Sequence, residues 1–264
     1  ILVTVNSLGQ ERSPVSNHFK TFSLSTLTDC KLLKCMFSII GVVKDYFLAV
    51  AINKGTPTHY WCSSSSWIFS QLPTPSQEDG VSAKLNQINT LFTGEFDQVL
   101  FESSGPSKVI DENLGLVMQA KPVTELDRLS HVWYQIKDHQ VYPKGYLKFT
   151  PAQKQQMNEA FSGLTIEEAK KIENWYLMRT PTKKEIVDLH ARGEAVYNMN
   201  GMESVSDDFP IKSWSIQTDA TGTVTTIKSH LWPGLYSFHK CNTDMVGCVY
   251  MGDGIRNNNL PFMV

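Results

Sequence analysis

The sequence predicts an α+β fold in which β-rich N-terminal and C-terminal segments, built as antiparallel hairpins, flank a central run of short helices. Three observations carry this. The last quarter holds three runs of β-branched and aromatic residues, Ser213–Thr218, Thr223–Lys228 and Val246–Met251, parted by turn-forming residues. Near the start, Cys35–Ile52 places two apolar runs on either side of the polar pair Lys44 and Asp45, a hairpin pattern with both strands buried. Between these ends, apolar residues recur at three and four positions behind repeated capping residues. Strands at both ends with helices between them, rather than strict alternation, argue against a doubly wound parallel sheet.

In chain order, Ile1–Asp29 is rich in Ser and Thr without apolar period and reads as irregular, with one helix near its end. After the hairpin, Thr58–Cys62 and Trp67–Phe69 read as strands separated by Ser63–Ser66. Val81, Leu85, Ile88 and Phe92 share one helical face, which predicts a short amphipathic helix over 81–92. Gln98–Glu102 has weak strand character. Thr124 followed by Asp127 forms a variant capping box ahead of Leu126, Leu129, Trp133 and Ile136, so a second helix starts there. Gln140–Tyr142 and Gly145–Phe149 are expected to pair around Pro143. Thr150 and Pro151 open a third helix to about Phe161. Thr165 with Glu168 opens another, carrying Ile166, Ala169, Ile172 and Tyr176, and Thr182 with Glu185 repeats the device. In the last quarter, Asp219–Gly222 fits a type I hairpin turn, and Trp232–Pro233–Gly234 breaks the strands.

A chain of 264 residues, 41% of them hydrophobic, can bury a sizeable core. The expected organisation is an irregular segment over 1–30 and one domain over 31–264, with any lobe boundary near 193–208. Lys and Arg total 24 against 26 for Asp and Glu, so no strong field exists to draw in nucleic acid or an anionic membrane. No apolar run has the length of a membrane span. Five cysteines at irregular spacings, Cys30, Cys35, Cys62, Cys241 and Cys248, suit a reducing interior better than a disulfide scaffold, which points to the cytosol or cytoskeleton.

The chemistry-bearing residues do not converge. Phosphate-loop, dinucleotide and zinc-protease motifs are absent from the sequence. Gly252–Asp253–Gly254 reads as a tight turn, because no amphipathic helix follows to supply a dipole. His239, Cys241 and Cys248 form the best soft-ligand cluster, and with them a metal- or cysteine-dependent enzyme stands as the rival reading, although the tight Cys pairs of a zinc site are missing. His131 sits among helical apolar residues and reads as structural. Glu167 and Glu168 suit a first helical turn, and Asp207 and Asp208 a polar linker.

What stands out is aromatic content outside the helices. Most of these residues are expected in the core, yet Trp and Tyr also anchor interfaces. The candidate partner-interface residues are Trp214, Trp232, Tyr236, Phe262, Tyr46 and Phe47, at or just behind a contact surface that includes the Gly41–Ile52 hairpin. The apolar end of the tail, Asn257–Val264, is expected to dock on something.

Several blocks carry a resemblance. SWSIQ at 213–217, HLWPGL at 230–235, GCVYMGDG at 247–254 and LPFMV at the end resemble the C-terminal signature of the radial spoke head protein 9 family. GVVKDYFLA at 41–49 is similar to its glycine, apolar, Asp-Tyr-aromatic hairpin, and FSGLTIEEAKKIENWYLMRTP at 161–181 to its helix and Arg-x-Pro turn. The resemblance spans about Leu27 to Val264 and departs in the serine run after Cys62, in Gln98–Leu116 and in the first 25 residues. Some blocks also look like the longer spoke head proteins 4 and 6.

The resemblance implies a non-catalytic structural subunit of the radial spoke head in the axoneme of motile cilia and flagella. Such a subunit supports spoke head assembly and relays mechanical signals from the central pair to the dyneins that regulate beating. It implies partners among spoke head and neck proteins related to spoke proteins 3, 4 and 6, and functional contact with the central pair apparatus. It implies no cofactor, and the charge balance and hydropathy above point to no nucleic acid and no membrane as partners.

Overall fold

The two ends of the chain meet in one eight-stranded sheet, in a computed structural model that describes residues 32–53, 56–76, 78–103, 121–149, 155–178, 202–208, 210 and 212–260. Its strands are β1 (Leu32–Ile39), β2 (Tyr46–Asn53), β3 (Thr56–Ser63), β4 (Ser70–Gln71), β12 (Trp214–Thr218), β13 (Val224–Ser229), β14 (Leu235–Lys240) and β15 (Val246–Gly252), in the order β12-β13-β14-β15-β1-β2-β3-β4. Every neighbouring pair is antiparallel except β1 and β15. Those two run parallel, with Phe37 beside Tyr250 and Ile39 beside Gly252, and they fuse the N-terminal hairpin to the C-terminal meander.

The remaining described elements are α1 (Asp79–Asn86), β5 (Val99–Glu102), β6 (Pro122–Thr124), α2 (Glu125–Asp138), β7 (Val141–Pro143), β8 (Leu147–Phe149), β9 (Gln155–Met157), α3 (Ile166–Ala169), a 3-10 turn (Ile172–Asn174), β10 (Trp175–Met178) and β11 (Met202–Ser204). A short 3-10 turn at Val205–Asp207 follows β11.

One face of the large sheet carries the core. Register places Phe37, Leu48, Trp61, Tyr250, Leu235 and Ile227 on that face, and all six are buried. The period-2 alternation of strands and the 3.6 period of a helix meet here. Leu129, Val132, Trp133 and Ile136 form one buried stripe of α2 against the sheet, with the Phe37 and Trp133 rings edge-on at 4.4 Å. The capping box predicted at Thr124 and Asp127 forms, with Thr124 N donating to Asp127 Oδ2 at 2.8 Å. A three-stranded sheet, β11-β10-β7, adds Val141, Trp175 and Leu177 to the same core.

The fold is rich in β structure with fewer helices, and the central helices are where it departs from the sequence reading. The segment 155–157 is a strand paired to β8, not part of a helix reaching Phe161. Its sequence offers no apolar face for a helix to bury, and helices are stabilised mainly by such burial. The Thr165–Glu168 box forms, but its helix stops at Ala169, and Trp175–Met178 is a strand. Trp175 and Leu177 are wholly buried around a half-exposed Tyr176, an alternation that outweighs the helical spacing of Ile172 and Tyr176. Val141–Pro143 and Leu147–Phe149 do not pair with one another; each takes a later strand.

The first helix stops at Asn86, because Phe92 is drawn into the core and into a bridge with Gly41. Trp67 is no strand residue: its φ is 54°, and its ring stacks on Phe47 at 4.9 Å. Strand β14 went unpredicted, since its inward positions include Ser237 and His239, polar residues that blur the alternation. The Thr182–Glu185 helix, the Pro151 cap and the 1–30 segment lie outside the described residues.

Candidate interaction surface

The β1–β2 connection, Ile40–Asp45, is an apolar corner held rigidly. Ile40, Val42 and Val43 are exposed, the two valines by 67% and 66%. Leu91 and Met251, both exposed, sit in the flanking segments to which this corner is bonded. Exposed β-branched side chains on a loose loop would be unremarked, but every amide from Ile40 to Asp45 is hydrogen-bonded. Ile40 N donates to Gly252 O at 2.8 Å, Val42 N to Phe92 O at 2.8 Å, and Val43 N and Lys44 N to Thr93 O at 2.9 and 3.4 Å. Gly41 N donates to Asp45 Oδ1 at 3.0 Å, and Asp45 N to Ser64 Oγ at 3.0 Å.

This tightness explains the residue types. A Cβ on Gly41 would lie 2.0 Å from Lys44 O, and one on Gly94 2.3 Å from the same oxygen. Gly94 also has φ +92°, a conformation that side chains resist. Gly41 is therefore required for the 41–45 turn to close on itself, and Gly94 for the segment 92–95 to lie against it. Lys44 Nζ reaches Glu95 Oε1 at 2.8 Å across the rim.

Beneath the corner lies a buried carboxylate. Glu125, at the first turn of α2, accepts from Tyr46 Oη (2.7 Å), Thr93 N (2.8 Å), Thr93 Oγ1 (2.9 Å) and Gly94 N (2.7 Å). Four donors satisfy a group that would be costly to bury alone. Burial first, and the bond to Glu125 second, push the Tyr46 hydroxyl well above the ordinary tyrosine range, so it remains a donor. Beside it, buried Arg128 donates Nη2 to Thr90 O at 2.6 Å and lies 4.0 Å over the Phe92 ring, so its charge rests on a carbonyl and a π-face.

The aromatics singled out from sequence fall mostly inside. Tyr46 is wholly buried, and Phe47 is covered by Trp67. Trp214 is buried, its Nε1 donating to Asp208 Oδ2 at 2.8 Å and its ring stacked on His139 at 4.9 Å. Trp232 is buried in the same core. Tyr236 is 40% exposed on the outer face of the sheet, across from Val249. Phe262 lies outside the described residues. The tail docks on this chain as far as Leu260, which is part of the main core, and Asn257 N donates to Leu231 O at 2.8 Å; residues 261–264 lie outside the described residues. Sequence reasoning flagged the hairpin around Gly41 but not Val42 and Val43 as its exposed part, and it missed Glu125 entirely.

His239 makes no metal ligand as it stands. Leu164 N donates to its Nε2 at 3.0 Å, and its Nδ1 lies 3.1 Å from Met245 O, so both ring nitrogens serve backbone. Cys62, Cys241 and Cys248 are buried and form no disulfide among the described residues, and burial pushes the Cys62 pKa up to about 12. His131 Nε2 lies 2.9 Å from Asn86 Oδ1, joining α2 to the end of α1. Among the described residues no group of three His, Cys, Asp or Glu could hold a metal, and no helix is long and apolar enough to cross a membrane.

No family model matches the chain. It is 31% identical over 236 residues to a radial spoke head protein 9 homolog of Homo sapiens, covering 86% of this chain and 82% of that one. The Bos taurus homolog of the same name matches over the same shares at 31%, and the Danio rerio homolog is 30% identical over 237 residues. At that identity over nearly the whole of both chains, this protein belongs to the radial spoke head protein 9 family.

Proposed function

We propose that the chain is a non-catalytic structural subunit of the radial spoke head in the axoneme of motile cilia and flagella, and that it joins its neighbours through the apolar corner at Ile40–Val43. The observation that carries this reading is a rigid, fully hydrogen-bonded corner with two valines about two-thirds exposed. A preformed apolar knob loses little conformational entropy on docking. The names of the relatives support the location.

In this reading the partners are spoke head and neck proteins related to spoke proteins 3, 4 and 6. The subunit supports assembly of the head and passes loads from the central pair toward the dyneins. A wide sheet backed by one helix and a tightly bonded corner is suited to bearing load, and the function calls for no cofactor.

Two measurements test it. A tagged chain should stay with the axoneme after detergent extraction of ciliated cells; complete release into the soluble fraction would remove the structural role. Val42→Asp combined with Val43→Asp should abolish co-purification with spoke head proteins while the chain stays folded, and unchanged co-purification would exclude this corner as the joint. The rival enzyme reading would be revived by stoichiometric zinc in elemental analysis of the purified chain.

A further inference from the structure

The large sheet has two edges, and they are built differently. β4 is two residues long and runs into Leu72–Pro73, which blunts that edge. β12 is five residues, Trp-Ser-Ile-Gln-Thr, with no proline, no charge and no break in its register against β13. Natural edge strands usually carry one of those protections.

The bonding groups that β12 leaves over can be identified. His230 N donates to Ser213 O at 2.7 Å and Asp219 N to Val224 O at 2.9 Å, so residues 213, 215, 217 and 219 turn their backbone groups toward β13. Trp214, Ile216 and Thr218 therefore turn theirs to the open side. Those three N–H and three C=O groups have no backbone or side-chain partner among the described residues.

We propose that β12 pairs antiparallel with β12 of a second copy of this chain, about a two-fold axis through Ile216. This register uses all six outward groups, with Ile216 opposite its own copy and Trp214 opposite Thr218. It also sets half-buried Ile216 side chains against each other on the core-bearing face. The ends are complementary in charge. Exposed Lys212 just before the strand, with no ion-pair partner among the described residues, comes to the turn that carries exposed Asp219 of the other copy, and the reverse holds at the far end. A closed, isologous contact of this kind satisfies both edges at once. This self-pairing is independent of the spoke head reading and leaves the Val42 and Val43 corner free.

The test uses the purified full chain in sedimentation over a wide concentration range. A reversible monomer–dimer equilibrium is expected, and a monomer at every concentration overturns the proposal. Ile216→Pro removes the central outward N–H in both copies, two of the six strand bonds, and should weaken dimerisation by about tenfold or more; an unchanged constant also overturns it. Should that variant fail to fold, cysteine crosslinking decides. Ile216→Cys should give several-fold more disulfide-linked dimer under mild oxidation than the wild type or Thr218→Cys, since opposed residues in a bonded pair lie about 5.5 Å apart at Cα. Equal crosslinking at 216 and 218 rejects the register and with it the pairing.

Discussion

Tyr46 donates its hydroxyl to Glu125 at 2.7 Å with both groups out of solvent, tying the strand after the apolar corner to the first turn of the helix behind it. The same carboxylate takes three bonds from Thr93 and Gly94, so one side chain joins β2, the 92–95 loop and α2. Tyr46→Phe should cost about 1–2 kcal/mol, since one acceptor bond is lost and the ring still fills its place. Glu125→Ala leaves several buried donors unmatched and should cost about 3–5 kcal/mol. Urea midpoints for both variants measure the difference, and equal losses would deny Glu125 its role as the hub.

Gly94→Ala is expected to be as damaging as a core truncation although it only adds a methyl group. The added carbon would meet Lys44 O at 2.3 Å at a φ that resists side chains. A cost of about 2–4 kcal/mol is expected, read from thermal unfolding, and it should come with faster amide exchange at Val42 and Val43, whose N–H groups depend on Phe92 and Thr93 carbonyls.

Val42→Asp and Val43→Asp should separate folding from assembly. Both side chains are largely in water, so stability should change by no more than about 0.5 kcal/mol. Pull-down of spoke head proteins should nevertheless be lost. A drop in the unfolding midpoint as large as that of Tyr46→Phe would mean that the valines serve this chain's own core.

Acid should weaken the protein through buried histidines. Trp133 Nε1 donates to His59 Nδ1 at 3.1 Å, and burial pushes the His59 pKa down to about 4 from 6.5. Because the folded value lies below the unfolded one, the unfolded chain binds more protons between these limits. The stability tied to His59 is thus whole above pH 6.5 and is lost as pH falls toward 4, by up to about 3 kcal/mol. His131, His230 and His239 are also lowered by burial and act in the same direction. His59→Gln keeps an acceptor for the indole and should flatten the decline in urea stability between pH 7 and 4.5; an unchanged slope would place the proton uptake elsewhere.

The strands of the sheet were legible where apolar and polar residues alternate, as in Trp214–Thr218, and where an apolar run is buried on both faces, as in Tyr46–Asn53. They were not legible where core positions are polar. His239 sits inward on β14 because Leu164 N and Met245 O serve its two ring nitrogens, Ser237 sits inward with its hydroxyl unbonded among the described residues, and nothing local announces either. Helical spacing misled at 172–176 and a capping signal misled at 155–157, where strand pairing overrode a marginal propensity. The apolar runs on either side of Lys44 and Asp45 announced a hairpin, but not the way its corner is held. Part of the reason, the approach of the Gly94 backbone to an oxygen of Lys44, involves residues fifty positions apart and could not be read locally.

Phe37 waits for Tyr250 before its strand has a neighbour on that side, so the ladder that seals the sheet depends on residues synthesised some two hundred positions later. A ribosome releases the N-terminal hairpin long before its parallel mate exists, leaving a bare ridge of amides and carbonyls throughout translation. Premature termination before Val246 would not yield a smaller working protein; it would leave a sticky fragment, and the cell's quality control would meet it as such.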